Sequence, residues 1–154
     1  MSKLEVGRKA PQFSLEGTSG RWSSGDAAGR PVVIYFYPRD NTPGCTQEGE
    51  DFSAAFGQFT KANCRIVGIS ADSLAAHGKF KQKMRFPFDL LSDPDRKVCG
   101  LFDVIQEKSM YGKKFMGIER STFLIDGKGV LRQAWRKVKV NGHAAAVLAA
   151  VKAL

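Results

Sequence analysis

Val32-Val33-Ile34-Tyr35-Phe36-Tyr37 is an unbroken run of β-branched and aromatic residues. A strand with no polar alternation is one covered on both faces, as in the middle of a parallel or mixed sheet. Pro38 ends the run. From Pro43 onward, Phe52, Ala55, Phe56 and Phe59 recur at helical spacing, which predicts a helix from about Pro43 to Lys61. A second doubly buried strand is expected over Arg65–Ser70. Asp72 or Ser73 can cap the next helix, Leu74 to about Met84. Ser92-Asp93-Pro94-Asp95 is expected to open another, reaching about Phe102, with Pro94 in the first turn, where a missing N–H costs nothing.

Towards the N-terminus, Phe13–Glu16 and Arg21–Ser23 flank Gly17-Thr18-Ser19-Gly20, a turn composition that predicts a small hairpin. Towards the C-terminus, Ser121–Ile125 and Val130–Trp135 are joined by Asp126-Gly127-Lys128-Gly129 and read as an antiparallel hairpin. A final alanine-rich helix, His143 to Leu154, is entered through Asn141-Gly142. Strand, helix, strand, helix, hairpin, helix describes an α/β fold. The expectation is a three-layer sandwich of thioredoxin type, with a mixed central sheet, helices on both faces and an N-terminal β-hairpin. The stretch from Lys108 to Gly117 follows no readable pattern.

The chain has 154 residues, 43% of them hydrophobic and 25% charged, the profile of one globular domain spanning residues 1–154. Its beginning has no apolar stretch to serve as a signal-peptide core, and no run approaches a membrane span, so a cytoplasmic location is expected. Cys45, Cys64 and Cys99 are too few and too far apart for a disulfide framework and lack Cys-x-x-Cys spacing. The net charge of +9 is spread from Arg8 to Lys152. Its densest cluster, Arg132 to Lys139, alternates with apolar residues as a half-buried strand does, so no nucleic-acid partner is expected.

The junction after Tyr37 carries the most chemical information, because the carboxyl end of a central strand there feeds a helix N-terminus. Thr42 is placed to cap that helix, Pro43 sits at its first position, Gly44 leaves room for an approaching molecule, and Cys45 falls in the first turn. Unpaired amides and the helix dipole favour a negative sulfur at such a place. Ionisation alone contributes little to rate. A fall in thiol pKa from about 8.5 to about 6 raises the thiolate fraction at pH 7 roughly 30-fold, yet with a Brønsted slope of about 0.45 it weakens each thiolate roughly 13-fold. Fixed donors aimed at developing charge must therefore supply most of any acceleration. The Thr42 hydroxyl, the first-turn amides and a guanidinium from elsewhere are the available types.

Pro38-x-x-x-Thr42-x-x-Cys45 resembles the active-site motif of the peroxiredoxins. The longer string Tyr35 to Glu48, with Glu119-Arg120-Ser121-Thr122-Phe123-Leu124-Ile125-Asp126 and Trp135-Arg136-Lys137-Val138-Lys139-Val140, is similar to their bacterioferritin-comigratory-protein or peroxiredoxin Q subgroup. The resemblance implies that Cys45 is the peroxidatic cysteine, that Thr42 and Pro38 shape and dry its pocket, and that Arg120 donates to sulfur and peroxide. It also implies that Glu48 orients Arg120.

Many members of the subgroup carry a second cysteine five residues after the first, but that position here is Glu50. Others carry it in the helix corresponding to Leu74–Met84, which has none. Cys64 and Cys99 read as small core residues, so the expectation is a one-cysteine cycle. Hydroperoxide is the substrate, and thioredoxin, glutaredoxin or a low-molecular-weight thiol is the reductant of the Cys45 sulfenic acid. An internal disulfide of Cys45 with Cys99 or Cys64 is the alternative cycle. A thioredoxin-like disulfide reductase or chaperone is the alternative class, but Thr42 and Glu48 stand where it needs a second cysteine. His77 and His143 read as surface residues with no ligand partners, no metal and no cofactor are expected, and the subgroup points to a monomer.

Overall fold

The computed structural model describes residues 4–27 and 29–154. In chain order the elements are β1 (Ser14–Gly17), β2 (Gly20–Ser23), β3 (Val32–Phe36), α1 (Pro43–Lys61), β4 (Arg65–Ser70), α2 (Leu74–Met84) and β5 (Asp89–Ser92). There follow α3 (Lys97–Leu101), β6 (Ile105–Met110), β7 (Lys113–Ile118), β8 (Ser121–Ile125), β9 (Leu131–Trp135) and α4 (His143–Lys152). Seven strands form one sheet in the order β2-β1-β5-β4-β3-β8-β9, and β6 and β7 pair separately.

β3 runs parallel to β4 and antiparallel to β8, so it is interior, and all five of its residues are buried. Its two faces feed two cores. Val33 and Tyr35 pack with Phe52 and Phe59 of α1, Phe80 of α2 and Val147 of α4. Val32, Ile34 and Phe36 pack with Trp22, Phe102 and Phe123 on the opposite side, beside Val98 of α3. Period-2 geometry with apolar layers on both sides is the reason the run carries no polar residue. Three helices therefore cover one face and α3 the other.

The structure departs from the sequence reading in three stretches. Asp89–Ser92 is a strand, parallel to β4 and antiparallel to β1. The helix expected from Ser92 begins only at Lys97: Asp93 spends its carboxylate on the Cys99 amide at 2.8 Å and its carbonyl on the Arg96 amide at 3.0 Å, and Arg96 takes φ 56°. Residues 93–96 thus form a turn. The stretch from Lys108 to Gly117 lies within the β6–β7 hairpin, which turns at Tyr111 and Gly112, both with positive φ.

α1 packs closely through Gly49, where an added Cβ would come within 2.4 Å of the Phe86 ring. That ring cannot easily yield, since it stacks on Phe88 at 5.2 Å and meets Phe80 edge-on at 5.0 Å. Overpacking costs about 1–3 kcal/mol, against about 1 kcal/mol that alanine gains over glycine inside a helix. Gly49→Ala is therefore expected to lower the melting temperature. An unchanged or raised Tm would mean that the Phe86 ring can be displaced freely.

Candidate active site

Thr42 closes the loop after β3 with extended dihedrals, φ −94° and ψ 154°, and its carbonyl accepts the Thr46 amide at 2.8 Å, so it is the N-cap residue of α1 by position. Its side chain does not cap. The hydroxyl donates backwards to the Arg39 carbonyl at 2.9 Å, which leaves only its lone pairs to face the helix end. Pro43 occupies the first helical position, and amides in a first turn have no intrahelical acceptor. Cys45 stands in that turn, 2% exposed, under the positive end of the helix dipole.

Arg120 precedes β8, whose first residue Ser121 pairs with Phe36 at the end of β3. Two adjacent interior strands thus bring residues 75 positions apart to the same rim. Arg120 Nη2 lies 3.4 Å from Cys45 Sγ, and Nη1 donates to Glu48 Oε1 at 2.7 Å. Glu48 is on the same helix as Cys45 and is 1% exposed. One planar guanidinium thereby spans the sulfur and the carboxylate. Gly44 makes room for it, since a Cβ there would come within 3.0 Å of Arg120 Nη2. The space expected for an approaching molecule is taken by the arginine.

Burial pushes the Glu48 carboxyl up to about 7, a rise that the Arg120 cation offsets only in part, and among the described residues Glu48 Oε2 finds no hydrogen-bond partner. Burial disfavours the Arg120 charge, but Glu48 and Cys45 outweigh it and hold the guanidinium above its usual range. Burial, followed by the nearby Arg120 charge, pushes His143 down to about 4, so it is neutral at pH 7, and its Nε2 meets Thr122 Oγ1 at 2.8 Å.

A carboxyl raised on folding binds its proton in the folded state when the unfolded chain has already lost it. Stability falls as pH climbs from the unfolded value of 4.5 to about 7, because the folded state holds the extra proton there. Glu48→Gln removes that penalty. Its stability relative to wild type is expected to improve between pH 5 and pH 8 by about 3 kcal/mol at most. Urea unfolding at the two pH values measures the difference, and a constant difference would mean that Glu48 ionises normally.

Arg120 joins Cys45 and Glu48 directly, and Thr42 stands three residues before Cys45 at the N-cap. Pro38 is exposed at the end of β3. Both histidines contradict the expectation of surface positions: His77 is 0% and His143 6% exposed, because each finds a polar partner inside. His77 also has two carboxylates beside it, those of Asp40 and Asp72. Lys108 escaped sequence reading because its strand was unreadable. Its Nζ donates to the Ile118 carbonyl at 2.6 Å, and its ammonium, lowered by burial and then by Arg120, is pulled upward by Cys45. Cys64 and Cys99 are buried free thiols. Burial pushes Cys64 up to about 12, and burial with Asp93 beside it raises Cys99 as well.

The family described as AhpC/TSA matches residues 6–134. The Peroxiredoxin Bcp of Xanthomonas campestris is 59% identical over 142 residues, covering 92% of this chain and 83% of that protein. Among solved structures, the bacterioferritin comigratory protein of Xanthomonas campestris, described for its alkyl peroxide reduction activity, superposes with a TM-score of 0.90 at 49% identity, over 97% of this chain and 98% of that one. A mutant of PrxQ from Xylella fastidiosa superposes with a TM-score of 0.93 at 40% identity, over 99% and 98%. The thioredoxin-like α/β fold expected from the sequence is the fold of these structures. Among the described residues no helix is long and apolar enough to cross a membrane.

Proposed function

The chain belongs to the AhpC/TSA family and is a thiol-dependent peroxidase of the peroxiredoxin kind, and from that premise we propose how it turns over. The Cys45 thiolate attacks one oxygen of a hydroperoxide, the O–O bond breaks, and the departing oxygen takes up a proton to leave as water or an alcohol. Cys45 becomes a sulfenic acid. One external thiol condenses with it, releasing water and forming a mixed disulfide, and a second thiol frees Cys45.

The observation that carries this reading is the Arg120 guanidinium, which reaches Cys45 Sγ at 3.4 Å while Glu48 holds its other nitrogen at 2.7 Å. Charge-assisted donors fixed at the sulfur also face the place where a peroxide oxygen would develop charge, so they act in the transition state without reorganising. The first-turn amides add to them, and the Thr42 hydroxyl, whose proton is already given to Arg39, accepts from the peroxide O–H. Pro38 contributes by keeping the loop after β3 stiff.

Resolution is external. Cys64 and Cys99 are buried thiols that burial makes hard to ionise, and attack on a sulfenic acid needs a thiolate with access. Thioredoxin, glutaredoxin or a low-molecular-weight thiol supplies the electrons. Hydrogen peroxide and organic hydroperoxides are both substrates, in keeping with the alkyl peroxide activity described for the Xanthomonas campestris protein. The chain acts as a monomer, as one domain, in the cytoplasm, where its three free cysteines remain reduced.

Steady-state assays with each reductant, on wild type and on the Cys64→Ser/Cys99→Ser double variant, test the cycle. The double variant is expected to keep turnover within about twofold of wild type, since neither sulfur takes part. A loss of more than about tenfold, with the first oxidation of Cys45 unchanged, would move resolution to Cys99 or Cys64.

A further inference from the structure

His77 lies on α2 with no exposed surface. Its Nδ1 is 2.7 Å from Asp40 Oδ2 and its Nε2 is 2.9 Å from the Leu91 carbonyl. A carbonyl oxygen can only accept, and a neutral imidazole carries a single N–H. Nε2 must therefore be protonated, and the contact at Nδ1 needs a second proton, either on the ring or on Asp40. Asp40 Oδ1 already accepts the Tyr37 hydroxyl at 2.6 Å, so a carboxylate that accepts at both oxygens, with the second proton on the ring, satisfies every contact of the pair.

Asp72 completes the cluster. Its Oδ2 accepts the Asp40 amide at 2.9 Å and the Ser70 hydroxyl at 2.6 Å. Acceptor atoms of both carboxylates and the imidazole lie within 4.8 Å of one another. A protonated ring leaves this cluster one negative charge, whereas a neutral ring between two carboxylates would leave it two, a costly arrangement around a ring with no exposed surface. Two of the lysines of α2 are engaged elsewhere: Lys81 pairs with Asp89 at 2.8 Å and Lys83 reaches Asn41 Oδ1 at 3.0 Å.

Asp40 is in the middle of the loop that joins β3 to α1. Its neighbour Asn41 has φ 61°, a left-handed conformation that needs support, and Lys83 of α2 supplies it. Thr42 then holds the N-cap position of the helix whose first turn presents Cys45. Two side chains of α2 thus grip successive residues of the loop that sets the helix N-terminus.

We propose that His77, held as an imidazolium against Asp40, is a positioning residue for peroxide reduction: it fixes the 38–42 loop and thereby the first turn that carries Cys45. The inference rests on the reading of Cys45 as the oxidised residue.

Asparagine places its amide nitrogen near the position of Nδ1, and glutamine near that of Nε2. Measured as the second-order rate of Cys45 oxidation, His77→Gln is expected to lose at least about tenfold and His77→Asn to recover to within about threefold of wild type, the range in which misplacement of a reacting group acts. Nitrogen-15 spectra of wild type at pH 7 are expected to show both ring nitrogens of His77 protonated. A wild-type rate in folded His77→Gln, or an unprotonated Nδ1, would overturn the proposal. The spectrum decides it alone if the variants do not fold. Wild type that does not oxidise at Cys45 would instead overturn the reading of the site and leave the ring protonation unaffected.

Discussion

Cys45→Ser is expected to reduce peroxide consumption to below about one-thousandth of the wild-type rate, the scale seen when a nucleophile is removed from its supporting groups. The argument is chemical. A serine hydroxyl stays protonated at neutral pH, and its oxygen cannot accept a second oxygen as sulfur does in forming a sulfenic acid. The substitution is nearly isosteric at a position 2% exposed, so the fold should persist, and circular dichroism with a thermal melt checks that it does. Residual turnover above about one-tenth of wild type would place the chemistry on another residue.

Arg120→Ala is expected to slow Cys45 oxidation by about 10²–10³, the loss typical of removing one fixed donor from an anion-stabilising site. It removes the nitrogen 3.4 Å from Sγ and also the partner of a carboxyl that is 1% exposed. Glu48 would then keep its proton to still higher pH, because the only influence opposing its burial is the Arg120 cation. Arg120→Lys should recover little. A single ammonium cannot hold Glu48 and reach the sulfur together, whereas the planar guanidinium does both. Stopped-flow oxidation of each variant measures the effect. An alanine variant that reacts within about threefold of wild type would remove Arg120 from the transition state.

The parts of the fold legible in the sequence were those in which a local pattern and its boundaries agreed. The run Val32 to Tyr37, the helix from Pro43 and the helix capped by Ser73, which accepts the Ala76 amide at 3.1 Å, all lie where periodicity and capping put them. β5 was not legible, because its four residues show no alternation and the Ser92-Asp93-Pro94-Asp95 signal that ends it also reads as a helix start, and it is a strand only through β1 and β4 on its two sides. The β6–β7 hairpin turns on Tyr111 at φ 53°, a conformation that aromatic residues seldom adopt and that the usual Asn-Gly signal does not announce.

The site divides along the same line. Cys45 at a helix start could be argued from spacing, whereas Arg120 and Glu48 came from family resemblance, since no local pattern joins residue 120 to residue 45. The direction of the Thr42 hydroxyl was hidden because an N-cap position does not dictate where its side chain points. The burial of His77 and His143 was hidden for a related reason. A histidine enters a core when a distant chain segment offers it a hydrogen bond, here Asp40 and Leu91 for one and Thr122 for the other.

The most direct test of the account is intact-protein and peptide mass spectrometry of the reduced chain after one equivalent of hydroperoxide, with a dimedone-type trap for sulfenic acid. The account predicts a single added oxygen, trapped at Cys45, with Cys64 and Cys99 remaining free thiols. A disulfide joining Cys45 to either of them, or oxidation that leaves Cys45 reduced, would contradict it.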